Sequence, residues 1–204
     1  NMTAGGVLPS ELARVGVQPE DVDYVLCTHL HMDHIGWNTR LVDGRWIPTF
    51  PNAKYLISRI ELESALASHK ETPREELVDS VLPVGDAGQA ELVTNDYAID
   101  DEVWLEATPG HTPDHVSVDL ASNGSKAIIT GDMIHTPVQC IELSWVSIAD
   151  VDSILASRTR RAFLERYCNT DTLICGTHFP SPSFGYIVRH GKVFPYKSVE
   201  EMNP

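Results

Sequence analysis

"CTHLHMDHIGWNT", residues 27–39, sets His29, His31, Asp33 and His34 within six positions, directly after the apolar run Tyr24, Val25, Leu26. Imidazoles and carboxylates are costly to gather at one turn, because each gives up water on burial, unless a cation or a charge partner holds them together. The His-x-His-x-Asp-His spacing therefore points to a metal-ligating loop at the end of a strand.

Three further strand-like runs end in the same way. "VWLEATPGH" leads to His111, "KAIITGD" to Asp132 and "DTLICGTH" to His178. In sheets covered by helices, buried strands read as continuous apolar runs, and functional groups collect in the loops past their carboxyl ends. Taken singly, His111, Asp132 or His178 reads as an ordinary loop residue; their shared place after apolar strands is what joins them to the first motif. Together the four clusters offer five histidines and two aspartates, enough for two metal ions. His115 begins a strand, so it reads as a structural or supporting residue, while His69 and His190 read as surface residues.

Composition narrows the class. The chain has 204 residues, 42% hydrophobic and 22% charged, as expected for one globular domain, 1–204, with no repeat or linker to divide it. Fifteen Lys and Arg against 29 Asp and Glu leave a net charge of −14, which repels nucleic acid and anionic membrane. No apolar run reaches membrane-spanning length, and "NMTAGGVLPSELARVG" lacks the features of a signal peptide, so a cytoplasmic location is expected. Cys27, Cys140, Cys168 and Cys175 form no CxxC pair, which predicts reduced thiols rather than a disulfide framework or zinc ribbon.

Periodicity predicts helices at Ser10–Arg14, with Ser10 as a cap, at 59–69, at 74–82 and at 150–167. In the last, Leu155, Ala162, Phe163 and Tyr167 are expected to face the core. Arg158, Arg160, Arg161, Glu165 and Arg166 read as a solvated face. Strands are expected at 23–28, 54–58, 103–107, 115–120, 126–130, 172–175, 185–189 and 192–196. Trp37, Ile134, Trp145 and Phe179 lie near the motifs, as lining for an apolar pocket or as core.

In order, "THLHMDH", "TPGHTPDH", "TGDMIH" and "GTHF" resemble the motifs of the metallo-β-lactamase-fold hydrolases. The resemblance implies an α/β fold, the αββα sandwich with a dinuclear metal site. "GDMIHTPVQC" looks closest to the branch holding methyl parathion hydrolase and the N-acyl homoserine lactonases. Carried over by position, it assigns His29, His31 and His111 to one ion, Asp33, His34 and His178 to the other, and Asp132 to a bridge. Zinc is the expected metal, with iron, manganese or cobalt also suited to such donors. Two cations roughly 3.5–4 Å apart would activate a bridging hydroxide that attacks an ester, lactone or phosphotriester of a small apolar substrate. Asp33 is the favoured proton carrier, with Asp132 as the other choice.

One departure touches specificity. Homoserine lactonases of this superfamily commonly carry tyrosine three residues after the bridging aspartate, where this chain has His135. A histidine there can donate to a developing oxyanion or protonate a leaving oxygen. A β-lactamase, a glyoxalase II-like thioesterase, a mononuclear iron persulfide dioxygenase and an inactive metal-binding remnant remain alternatives. The nuclease branch is disfavoured by the charge. Only 28 residues precede His29, so the resemblance implies a sandwich short of its N-terminal strands. Its open edge is then expected to be covered by a second copy, in a homodimer or larger homo-oligomer.

Overall fold

The computed structural model describes residues 7–202. The chain forms two compact units that meet between Thr94 and Asn95.

The first unit runs α1 (Val7–Arg14), β1 (Tyr24–Leu26), α2 (Met32–Ile35), β2 (Thr39–Val42), β3 (Arg45–Pro48), β4 (Lys54–Ser58), α3 (Arg59–Glu71), α4 (Glu75–Ser80), α5 (Leu82–Asp86) and β5 (Ala90–Val93). Its main sheet has the order β1-β4-β5, with both pairings parallel. Tyr55, Leu56 and Ile57 are at most 1% exposed, which is why the central strand β4 reads as an unbroken apolar run. β1 lies at an edge of this sheet among the described residues. Leu30, Ile35, Ile57 and Leu77 form the core beneath the first histidine motif.

Several boundaries depart from the sequence expectation for identifiable reasons. The predicted helix 74–82 is two helices, because Pro83 lacks an N–H and starts a new turn after Val81 instead of continuing α4. Ser10 lies within the described span of α1 and donates from its hydroxyl to the Val7 carbonyl, so it does not cap the helix. The hairpin β2–β3, absent from the expected strands, turns at Asp43-Gly44, both with positive φ (48° and 76°), as an Asp-Gly pair favours.

The second unit runs β6 (Val103–Ala107), β7 (Val116–Ser122), β8 (Ser125–Ile129), α6 (Ser153–Tyr167), β9 (Leu173–Cys175), β10 (Phe184–Ile187), β11 (Tyr196–Ser198) and α7 (Val199–Met202). These strands form one sheet in the order β11-β10-β9-β8-β7-β6. β7 is antiparallel to both β6 and β8, and β8 is parallel to β9. The carboxyl ends of β6, β8 and β9 therefore share one edge, and the loops bearing His111, Asp132 and His178 all leave from it. The predicted strand 192–196 lies instead at Tyr196–Ser198, after an isolated bridge between His190 and Val193.

One face of this sheet packs Ile128, Ile174 and Ile187 against Phe163 and Leu164 of α6. On α6 the buried residues are Ala156, Arg160, Phe163 and Leu164. This corrects the predicted face in two ways: Leu155 and Ala162 point to solvent, and Arg160, expected in water, is 1% exposed. The spacing 156, 160, 163, 164 still describes a helix stripe; its polar member broke the hydrophobic pattern.

At the far end of α6, a half-buried Glu106 and a buried Asp119 sit on the same sheet face. Tyr167 donates its hydroxyl to Glu106 at 2.7 Å and lies 3.4 Å from Asp119, and Arg166 pairs with Glu106. Asp119 is 8% exposed, and its Oδ2 is buried without a hydrogen-bond partner among the described residues. Burial, and then the Glu106 charge, push the Asp119 carboxyl up to about 6, against the pull of Tyr167, Arg166 and Lys126. A carboxyl raised in the folded state binds its proton more tightly there than in the unfolded chain. Its stabilising contribution is therefore complete below about pH 4 and is lost as pH rises through about 6. Asp119→Asn should flatten the pH dependence of stability in that window and raise stability at pH 7 by about 1–2 kcal/mol. Urea unfolding between pH 4 and 8 checks this, and an unchanged slope across the window refutes it.

Candidate metal-binding site

In the first unit, the chain leaves β1 at Leu26 and passes through the histidine motif into the short helix α2, which begins between His31 and Asp33. His29 is fully buried, and its Nε2 lies 3.1 Å from Nδ1 of His31. The His34 ring stands 4.1 Å from that of His29, centre to centre, and its Nε2 is 3.6 Å from Asp33 Oδ2. Asp33 keeps about half of its side chain in solvent. All four predicted donors thus lie together in one turn.

The backbone of this turn is held at Leu30, between the first two histidines. Arg74 donates to the Leu30 carbonyl at 2.8 Å, and Glu61, 5% exposed, accepts from the Leu30 N–H at 3.4 Å. Glu61 stands in this position because Ser58 caps α3 and accepts its N–H. His69 accepts from the Arg74 N–H, so it supports this clamp and is half-buried, contrary to its surface reading.

In the second unit, Asp132 follows Gly131 in a buried 3-10 turn after β8. Its two oxygens face different imidazoles. Oδ1 lies 3.2 Å from His178 Nε2, while Oδ2 lies 3.5 Å from His111 Nε2 and 3.3 Å from His135 Nε2. One donor atom each from His111, Asp132 and His135 falls within 4.8 Å of the others, so His135 also stands at ligand distance from this pair. The His135 ring is parallel to that of His178, with centres 5.6 Å apart. Its backbone N–H donates to Gln139 Oε1.

Two buried networks fix these donors. His115 accepts the Asp132 N–H at its Nε2 (2.9 Å), so its Nδ1 carries the proton and donates to Thr108 Oγ1 at 2.8 Å. Thr108 then passes its own hydroxyl proton to Ser117, which donates to the Thr130 carbonyl. This is the supporting role expected for His115. The second network involves Asp150, which the sequence reading missed. Its Oδ1 accepts from His111 Nδ1 at 2.9 Å and its Oδ2 from the Ser147 N–H at 2.8 Å. Nothing in the sequence marks Asp150, 39 residues downstream in an irregular loop; only folding brings it under His111.

The turn carrying His111 is locked to the start of α6. Asp152 donates its N–H to the Gly110 carbonyl, Val151 to that of His111, and Thr159 its hydroxyl to that of Pro109. Gly110 has φ +128°, and a Cβ there would overlap the Ala156 backbone. Glycine is therefore required by conformation and by space.

The remaining candidates divide between core and surface. Ile134 and Phe179 belong to the buried core of the second unit, which removes them from any pocket lining. Trp145 is 57% exposed, and Trp37 lines a groove of about 280 Å³ in the first unit, together with Leu12, Val25, Cys27 and His34. Burial pushes the Cys27 thiol up to about 11 and the Cys140 thiol up to about 12, so both stay protonated and act as small apolar groups. His190 is exposed.

The donor chemistry fits divalent cations: neutral imidazole nitrogens and carboxylate oxygens, set on buried supports that fix their direction. N-acyl homoserine lactonase AiiA of Bacillus thuringiensis subsp. kurstaki is 31% identical over 128 residues, covering 63% of this chain and 44% of that enzyme. The chain therefore spans less than half the length of this relative. Among solved structures, the hydrolase AbOPH superposes with a TM-score of 0.81 at 25% identity, over 97% of this chain and 71% of that one. AidC, described as a dizinc quorum-quenching lactonase and solved with a homoserine product, superposes with a TM-score of 0.79 over 95% of this chain and 69% of its own; at 22% identity it bears on the fold alone. Residues 2–178 match the sequence pattern of the Metallo-beta-lactamase superfamily. With that match over most of its length, the chain belongs to the metallo-β-lactamase superfamily.

Proposed function

We propose that the chain is a metal-dependent hydrolase of small ester-like substrates, acting as a single domain in which His29, His31, Asp33, His34, His111, Asp132 and His178 hold two divalent cations. Zinc is the first choice among them. The observation that carries this reading is Asp132, a 4%-exposed carboxylate whose two oxygens meet imidazoles from different loops, as a bridging ligand requires. Such cations, when bound, polarise the electrophile and make water nucleophilic at neutral pH. The half-exposed Asp33 carboxylate can hold an attacking water in line and exchange its proton with solvent. His135 is placed to donate to the developing oxyanion or to the leaving oxygen.

The relatives named as N-acyl homoserine lactonases make acyl lactones the leading substrates, ahead of aryl esters and phosphotriesters. The groove beside His34 and Trp37 offers room for an apolar substituent. We also propose a homodimer or larger assembly. Ile129, Cys175 and Phe184 are cross-strand neighbours on the sheet face opposite α6, and Ile129 and Phe184 are 38% and 43% exposed. Light scattering at micromolar concentration should then show more than one chain per particle, and a monomer that binds no apolar dye refutes this part.

Elemental analysis of the purified protein should give two metals per chain, and Asp132→Ala should reduce this to one or none, because unbridged cations repel. Hydrolysis of acyl homoserine lactone, aryl ester, paraoxon, nitrocefin and a glutathione thioester ranks the substrate classes. Two metals with no turnover of any of these favours an inactive remnant, and a single iron favours the dioxygenase reading.

Asp33→Asn should cost turnover more than metal, and wild-type turnover in that variant removes Asp33 from the mechanism. His135→Ala should keep both metals and lose up to ~10²-fold in turnover. Because His135 also stands at ligand distance from His111 and Asp132, a second reading has it binding metal, and loss of metal in His135→Ala selects that reading.

A further inference from the structure

Arg160 is the largest fully buried side chain among the described residues. A guanidinium is kept so deep in a core only where fixed polar groups replace its water, since an unpaired charge is costly to desolvate. Its two terminal nitrogens donate to the carbonyls of Met133 and Trp145. Met133 directly follows Asp132, and Trp145 opens the stretch that leads to Asp150. Gln139 donates to the same Trp145 carbonyl while accepting the His135 N–H. One arginine thus joins the turn of Asp132, the support of His135 and the loop of Asp150. Burial disfavours its charged form, and Asp150 is the largest influence opposing this.

Asp150 in turn faces His111. A carboxylate has no proton to give at neutral pH, so the proton of the 2.9 Å contact sits on His111 Nδ1. That makes Nε2, 3.5 Å from Asp132 Oδ2, the unprotonated ring nitrogen. Both Asp150 and His111 have side chains exposed by no more than 2%, so water cannot replace either partner.

We propose that Arg160 and Asp150 form a buried positioning pair: Arg160 ties the Asp132 turn to loop 141–152, and Asp150 thereby holds His111 in the one tautomer and orientation that can ligate a metal. This rests on the metal-binding reading above, and it concerns residues that never touch the ion. Outer partners of this kind typically carry 10–100-fold in metal affinity. Arg160 and Asp150 act through one chain of contacts, so their effects are expected to overlap.

The test uses the full chain with cobalt(II), by chelator competition and visible spectroscopy, and with ¹⁵N-histidine NMR of the metal-free protein. Wild type should show His111 as the Nδ1–H tautomer. Asp150→Ala and Arg160→Met should each weaken cobalt binding by about 10–100-fold, and the first should also release His111 to a mixture of tautomers. Arg160→Lys, which retains a charge and donors, should recover part of the loss. The double variant should fall short of the product of the single effects. If Arg160→Met does not fold, Arg160→Lys and Asp150→Ala still decide the matter. Wild-type affinity and tautomer in the variants, with cobalt bound by wild type, overturn the positioning pair alone. A wild type that binds no cobalt while its His111 is the Nδ1–H tautomer overturns the metal reading, and the pair's purpose with it.

Discussion

A single buried guanidinium ties together two segments of the second unit, the turn after Asp132 and the loop before α6. Arg160 occupies a helix position that its neighbours Ala156, Phe163 and Leu164 define as core. Replacing its water requires carbonyls aimed inward from two segments, the turn after β8 and the loop before α6. Once those segments are drawn in, Asp150 falls under His111, and the close passage at Gly110 follows because the loop and the helix start must share space with that turn. The apolar core of Ile128, Phe163, Leu164 and Ile174 supplies the driving force, while the arginine selects which loop conformation that core accepts.

The first unit solves a similar problem with different parts. A turn carrying three histidines and an aspartate has little hydrophobic content of its own to hold it. Leu30 supplies the anchor: its side chain enters the core, and both of its backbone polar groups are taken by charged side chains, Arg74 on the carbonyl and Glu61 on the N–H. Burial of the leucine contributes about 2 kcal/mol, and the two charge-assisted hydrogen bonds fix the rotation of the backbone on either side. His29 and His31 are therefore aimed by the residue between them.

What the sequence made legible follows from this division. Candidate ligands at strand ends announce themselves, because a polar residue after a continuous apolar run is visible in one dimension, as at His111, Asp132 and His178. The strands 54–58 and 103–107 were readable for the same reason. The supports were not. Glu61, Arg74, Asp150 and Arg160 are ordinary charged residues in helices and loops, and their identity as buried partners depends on which distant backbone group they meet. Arg160 even misled the helix reading, since a charged residue in an apolar stripe shifts the apparent solvent face. The hairpin at 43–44 is legible from turn chemistry alone, since an Asp-Gly pair favours the positive φ both residues adopt.

The thiols sharpen the argument about the metal. Cys27 lies two residues from His29, and burial pushes its thiol up to about 11 against the lowering effect of its hydrogen bond with Asn38. Cys140 is placed similarly, near Arg160 but pushed up to about 12 by burial. A thiolate at either place would need a cation close enough to repay its desolvation, and the donors that the fold points toward one another are all imidazole nitrogens and carboxylate oxygens. A set without sulfur is of borderline to hard character and suits zinc, iron, manganese and cobalt alike. On the metal reading proposed above, discrimination among them falls to geometry, which in the second unit means the angle at which Asp150 holds His111 and His115 holds Asp132.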